Sequence, residues 1–286
     1  MPRNEGTYGR VYKPSVPWNE RSERKWTFLA PCLLLLVTFT LGLIPSLWYM
    51  CRNPRQAFSV HRWRTSFLGA AQPSLFALSD RMLKQEKQDL LGSASGIVLE
   101  VGSGRGHSLK YYDRKKIQRL WLVEPDETSV PALKREIHRL NMDTICGVLK
   151  CGIEDTEMLH HAVATESVDT VVCIQTLCTV PNPHQVISFL YSLLKPGSGQ
   201  FFFLEHVAST HGLTRAVQNF YTSAVWRFVM GGCELNRETA KWCVEVGGAT
   251  RSDETWTRVE IDAIPGDWSN IFPHVRGILI KSLGPR

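Results

Sequence analysis

Short apolar runs recur along the C-terminal two-thirds of the chain, at 97–101, 119–123, 145–149, 168–174, 200–205, 256–263 and 275–281. Runs of this length, bounded by turn and polar residues, read as buried strands. Helical periodicity separates the early ones, notably in "ETSVPALKREIHRL" and "PHQVISFLYSLL". Strands that alternate with helices imply βαβ units, and so an α/β domain whose parallel sheet is covered on both faces. Residues 92–286 suffice for one such domain with a single core. An insertion at 207–255 follows the fifth run and carries two helical stretches, "LTRAVQNFYTSAVWRFVM" and "NRETAKWCVEVGG". In the first, Val217, Phe220, Tyr221, Ala224, Val225 and Phe228 recur at helical spacing, which predicts an apolar face and a lid.

The N-terminal third has a different pattern. From Trp26 to Cys51 no residue is charged, and the run is long enough to cross a hydrocarbon core of about 30 Å. Trp26, Trp48 and Tyr49 stand near its ends, where aromatic rings favour the interface. A cleaved signal peptide is a poor match, because the run is too long and no A-x-A-like site follows it. The segment 26–51 is therefore expected to be a membrane anchor. Pro31 and Pro45 leave open whether it spans or dips into one leaflet. Arg21, Arg24 and Lys25 precede it and Arg52 and Arg55 follow, so the charge rule for orientation is almost tied. Residues 1–25 are polar, rich in Gly, Pro and Arg, and expected to be disordered. Residues 52–91 read as a juxtamembrane segment of broken helix. Either it lies on the membrane through Trp63 and Phe67, with Arg62 and Arg64 at headgroup level, or it packs on the domain that follows. "SDRMLKQEKQDLL" reads as a helix with Ser79 at its N-cap.

Composition adds little beyond this. The 286 residues carry a formal net charge of +6, but Lys and Arg are scattered and form no dense block, so no nucleic-acid partner is expected. The eight cysteines show no C-x-x-C pair and no metal-ligand spacing, and no metal is expected. Cys146, Cys151 and Cys173 fall in or beside strands, as small apolar residues do. With no N-x-S/T sequon either, the globular part reads as facing a reducing, cytosolic compartment.

The chemistry concentrates at "IVLEVGSGRGHSL", from Ile97 to Leu109. An acid ends the first strand and glycines follow at 102, 104 and 106. A dinucleotide fingerprint needs its third glycine at 107, which is His107, so a pyrophosphate is disfavoured. E-x-G-x-G-x-G instead resembles the first motif of the class I methyltransferases, whose donor S-adenosylmethionine carries no phosphate; the resemblance implies that Gly102, Ser103, Gly104 and Gly106 let backbone approach that donor and that Glu100 orients its ammonium group directly or through water. Glu124, directly after the second strand, is the expected ribose acid, with Pro125 beside it. Asp126, past the proline, is a turn or cap residue. After the third strand comes "CGIEDTE", expected to cover an adenine with Ile153 and with Glu154 or Asp155, Gly152 standing where an Asp is common. Ile174 and Gln175 end the fourth strand and would line the methyl-donor cleft. Glu205 and His206 end the fifth and are the candidate catalytic pair, with His206 suited to proton transfer near neutral pH. A purely structural role, Glu205 capping a loop, is the competing reading. Cys233 is expected to be structural, at a helix start.

Over roughly 95–281 these features resemble the class I methyltransferases. "LEVGSGRG", "VDTVVCIQTLCTV", "LLKPG", "FLEHV", "GGCELNRET" and "FPHVRGILIK", with the apolar anchor, are most similar to the methyltransferase-like seven subfamily of membrane-anchored thiol S-methyltransferases. The resemblance implies a Rossmann-like seven-stranded sheet with helices on both faces. It also implies S-adenosyl-L-methionine as cofactor, a small lipophilic acceptor, plausibly a thiol, and an endoplasmic reticulum or lipid-droplet membrane. Quinone or lipid methyltransferases, including those of mitochondrial membranes, share the same core. A degenerate fold acting as a membrane-bound assembly factor is the alternative of another class. The acceptor and the oligomeric state are not legible.

Overall fold

In the computed structural model, which describes residues 22–56, 58–246, 255–264 and 271–283, all seven apolar runs are strands of one sheet. They are β1 (Gly96–Val101), β2 (Ile117–Val123), β3 (Cys146–Leu149), β4 (Thr170–Ile174), β5 (Gln200–His206), β6 (Trp256–Ala263) and β7 (His274–Lys281). Their spatial order is β3-β2-β1-β4-β5-β7-β6. β1 to β5 are mutually parallel, and β7 runs antiparallel between β5 and β6. The chain reverses its direction of travel between β1 and β4, and ligands bind beyond the C-terminal ends of strands at such a switch point.

The central strands are apolar on both faces because both faces are covered. Leu99, Val171, Cys173, Phe201 and Phe203 pack on one side under α5 (Thr156–Ala162), α6 (Pro183–Leu193) and α9 (Thr239–Val244). Val98, Leu120, Leu122, Val172, Phe202 and Leu204 pack on the other, with α3 (Lys84–Leu91) and α4 (Val130–Arg139). β6 is the edge strand, and it places the charged Arg258, Glu260 and Asp262 along that edge, a guard against pairing with a further strand.

Ahead of the sheet, α1 (Ser22–Arg52) runs unbroken past Pro31 and Pro45, and Ser22 to Lys25 belong to it rather than to a disordered leader. Residues 1–21 of that leader lie outside the described residues. Within α1, Cys32–Arg52 is long and apolar enough to cross a membrane. α2 (Val60–Met82) follows, capped by the Ser59 side chain, and is continuous through Pro73. Its Phe67 ring packs edge-on against Phe39 and beside Gly42, so this residue faces α1. Ser79 lies inside α2 and caps nothing. Its hydroxyl donates instead to Gln175 Oε1 at 2.5 Å, tying α2 to the end of β4. The α2–α3 corner is fixed by buried Asp80, which accepts from Lys87 Nζ at 3.2 Å, Lys110 Nζ at 2.6 Å and Tyr111 Oη at 3.2 Å. Burial favours the neutral acid there, but Lys110 and Lys87 outweigh it and hold the Asp80 carboxyl below its usual range.

The lid departs from its sequence pattern. α7 (Gly212–Tyr221) is followed by a wide π turn, Thr222–Trp226, and then by the short α8 (Arg227–Val229). The π turn inserts one extra residue and advances the inward face by one position. Trp226 and Val229 are buried beyond it, and Phe228 is 56% exposed; upstream, in regular α7, Val217 is buried and Phe220 already lies outside the buried face at 66% exposed. Leu34 and Leu35 of α1 pack against the lid cluster of Val217, Trp226, Leu235, Ile271 and Phe272. Cys32 Sγ lies 2.8 Å from Tyr221 Oη.

Candidate active site

The C-terminal ends of β3, β2, β1, β4 and β5 bring most of the expected residues to one edge of the sheet. The glycine loop follows β1. Gly102 has φ +70°, and a Cβ there would sit 2.5 Å from Thr176 Oγ1, so the turn admits only glycine. Gly104 also has positive φ, yet a Cβ there would meet nothing nearer than Phe76 at 3.9 Å. It faces open space, as a backbone presented to a ligand should. Gly106 closes the turn against Leu133 and Leu109, and Ser103 is buried beneath it with its hydroxyl aimed at Glu100 O.

Glu100 and Glu124 take different roles in this edge. Glu100 is 2% exposed, and its carboxylate accepts from Ser108 Oγ at 2.5 Å and Tyr112 Oη at 2.8 Å. Burial pushes its carboxyl above the usual range despite those donors. It braces the segment after the glycine loop from beneath. Glu124 lies against the glycine loop itself. It accepts from the N–H of Gly104 at 2.5 Å and of Asp126 at 2.8 Å, which joins the ends of β1 and β2. Burial raises its carboxyl too, against the two backbone donors. Pro125 beside it is exposed. Asp126 holds a turn through Thr128 and Ser129.

After β3, Ile153 is buried in the core while Glu154 and Asp155 are exposed. Asp155 caps α5 by accepting from Met158 N at 3.1 Å. The Glu154 carboxylate folds back to where a side chain on Gly152 would be. Beyond β4, Gln175 adopts φ +52° and carries Oε1 to Ser79 and Nε2 to within 3.2 Å of His274 Nε2. Ile174, half-buried, precedes it.

Strand alternation separates Glu205 from His206, since successive side chains point to opposite faces. Glu205 is wholly buried and accepts from the N–H groups of Thr176 and Leu177 at 2.8 and 2.9 Å. It holds the loop after β4. Burial, then the neighbouring Cys178, push its carboxyl up to about 8. His206 instead reaches a cavity of about 310 Å³. The walls are largely apolar: Leu75, Phe76 and Met82 from α2, Leu34 from α1, and Trp226 and Met230 from the lid. The polar points are Ser79, Gln175, Cys178, Thr179, His206, Cys233 and His274. Phe76 lines this cavity and also stands 3.9 Å from where a Cβ on Gly104 would be, so the cavity and the glycine loop share that side chain.

Sequence reading missed several of these. Cys178, Cys233 and His274 lie inside the quoted stretches "VDTVVCIQTLCTV", "GGCELNRET" and "FPHVRGILIK", but no local spacing joins them. Cys233 lies in the loop before α9, not at its start, because the lid turns back at Gly231 and Gly232, both with positive φ. Its Sγ is 3.1 Å from His206 Nε2.

Comparison with known proteins gives the following. A family model described as a methyltransferase domain matches residues 74–250. The chain is similar to thiol S-methyltransferase TMT1A of Homo sapiens, 28% identical over 209 residues, covering 72% of this chain and 79% of that protein. It is likewise similar to thiol S-methyltransferase TMT1B of Mus musculus, 28% identical over 205 residues, with 70% and 78% covered. Among solved structures, an O-methyltransferase family protein from Burkholderia thailandensis superposes with a TM-score of 0.56 at 17% identity, covering 84% of this chain and 71% of the other.

Proposed function

The chain belongs to the methyltransferase domain family and is an S-adenosylmethionine-dependent enzyme; from that premise we propose that it methylates the sulfur of a small lipophilic thiol while α1 holds it to a membrane. The observation that carries the reading is an open glycine loop that shares Phe76 with a largely apolar cavity, into whose wall Cys178, His206 and Cys233 are built. Two of the relatives named above act on thiols.

The residues fit the donor. The open backbone at Gly104 gives it room, Glu124 is a buried acceptor directly beside that backbone, and Glu154 offers an acid to an adenine edge. When bound, S-adenosylmethionine supplies an electrophilic methyl group on a sulfonium. Ser103 and Glu100 support the loop, and Gln175 with Ile174 forms the wall towards the acceptor. Holding the two reactants in line accounts for much of the acceleration of such a displacement. The acceptor side selects by shape and dryness: a cavity of about 310 Å³ lies at the small end of ligand sites and excludes bulky polar groups. Glu205 acts through the loop it holds.

The anchor and the cavity are one assembly in this reading. Leu34 of α1 forms part of the wall, and Leu36, Ile44 and Trp48 on the same helix are exposed, as are Phe220 and Phe228 on the lid. That distribution supports an apolar acceptor entering from the bilayer. Calorimetry with S-adenosylmethionine, using the full chain in detergent, tests the enzyme reading: binding at sub-millimolar concentration is expected, and its absence would remove it.

A further inference from the structure

Three ligand atoms converge in the wall of the cavity. Cys178 Sγ, His206 Nε2 and Cys233 Sγ all lie within 4.8 Å of one another, and the imidazole and Cys233 are 3.1 Å apart. Around a tetrahedral zinc ion, with Zn–S near 2.3 Å and Zn–N near 2.0 Å, such atoms stand about 3.5–3.8 Å apart. The cluster thus needs rearrangement of no more than about an ångström to close on an ion. Two thiolates and a neutral imidazole are a soft donor set that suits zinc. They also balance the ion's charge, as an apolar surrounding requires.

The three residues come from separate elements, yet their backbones are cross-braced. Glu234 N–H donates to Cys178 O at 3.0 Å, joining the two cysteine loops directly. Buried Arg237 donates from Nη1 to Leu177 O at 2.6 Å and to Val180 O at 2.8 Å, on either side of Cys178. Ala208 N–H, two residues past His206, donates to Arg237 O at 2.8 Å. Behind the cluster, Trp226 Nε1–H donates to Cys233 Sγ at 3.4 Å, an outer contact of the kind that orients a metal-bound thiolate.

We propose that Cys178, His206 and Cys233 bind a zinc ion, and that the fourth position, open to the cavity, takes the acceptor thiol as its thiolate. Three protein ligands with one open position is the arrangement of catalytic zinc sites. A metal-bound thiol is deprotonated outright; here its proton leaves to solvent. The acceptor sulfur then forms its bond to the methyl carbon, the carbon–sulfonium bond breaks, and that electron pair stays on the donor sulfur. The product thioether, a weaker ligand than a thiolate, dissociates. The thiolate step rests on the thiol reading above; the metal site does not.

The test uses the full chain, purified in detergent without chelator. Elemental analysis is expected to give stoichiometric zinc. Exchange with cobalt(II) should produce tetrahedral ligand-field bands and a thiolate charge-transfer band, and adding thiophenol should shift both. Cys178→Ser, Cys233→Ser and His206→Gln should each lose the metal and the bands, whereas Cys243→Ser, in the core on the far side of the sheet, should keep them. Trp226→Phe should weaken zinc by on the order of 10–100-fold. Donor calorimetry on each variant separates metal loss from unfolding. Zinc retained by folded Cys178→Ser/Cys233→Ser, a wild type that takes up neither ion, or a Cys178–Cys233 disulfide would overturn the site. Cobalt bands unmoved by thiophenol would overturn its role towards the acceptor. Metal binding without donor binding would refute the methyltransferase reading and leave the site standing.

Discussion

Replacing Glu124 by Gln tests the donor site with the least change of shape. Its carboxylate accepts the N–H groups of Gly104 and Asp126 and is 6% exposed. A carboxylate has about four acceptor sites, so room remains for ribose hydroxyls. An amide keeps the volume but replaces one acceptor oxygen by a donor, which must face a backbone N–H or the cleft. One lost hydrogen bond to a charged group costs about 1.5–3 kcal/mol, or about 10–150-fold in donor affinity. A separate destabilisation of about 1–3 kcal/mol follows if the amide faces Gly104 N–H. Calorimetry with S-adenosylmethionine reads the first effect and a thermal melt the second. Burial raises the Glu124 carboxyl above its ordinary 4.5, so wild-type affinity should start to fall on acidification before that value is reached. The glutamine variant should lack this slope. Unchanged donor affinity with a lowered melting temperature would refute the reasoning and reduce Glu124 to a loop brace.

Removing residues 1–51 should free the protein from membranes and leave donor affinity intact, but raise the acceptor KM several-fold, because Leu34 and its contact with the lid are lost; kinetics in detergent check this. Met230→Ala, in the cavity wall, should change acceptor preference at constant donor affinity, whereas Phe220→Ala and Phe228→Ala should change only membrane partitioning. Asp80→Asn should destabilise by about 3–5 kcal/mol, since it strands buried Lys87. With its folded value depressed, Asp80 contributes stability above its ordinary 3.8, so a pH series of melts should show the wild-type advantage shrinking as pH falls below it. Glutathione should be turned over poorly beside an apolar thiol of similar acidity, because its charged groups have no partners among the apolar walls.

The sheet was legible because each central strand is buried on both faces and so writes itself as an unbroken apolar run, as Phe201 to Leu204 do. The glycine loop and Glu124 were legible because they are local, one turn and one position after a strand. The lid register was not: Phe228 follows the π turn at Thr222–Trp226, which breaks the regular spacing, and at Phe220 polar Thr214 and Gln218, not the next apolar residue, share the buried face with Val217. Nor was Ser79, whose place as a cap was plausible until tertiary contact carried α2 through it to Gln175. The Glu205–His206 pair was separable in principle, since period-two alternation already sends neighbours to opposite faces. The Cys178–His206–Cys233 cluster is written in no local spacing, because two loops and the end of β5 meet only once the sheet is formed.

Methyl transfer to a thiol by this chain is tested most directly by the fate of the methyl group. The purified full chain is given S-adenosylmethionine labelled with deuterium on the methyl, together with an equimolar mixture of an apolar aryl thiol and the matching phenol. The products are then read by mass spectrometry. The label is expected on sulfur, with the phenol unchanged. Label on oxygen, or no transfer by protein that binds the donor, would contradict it.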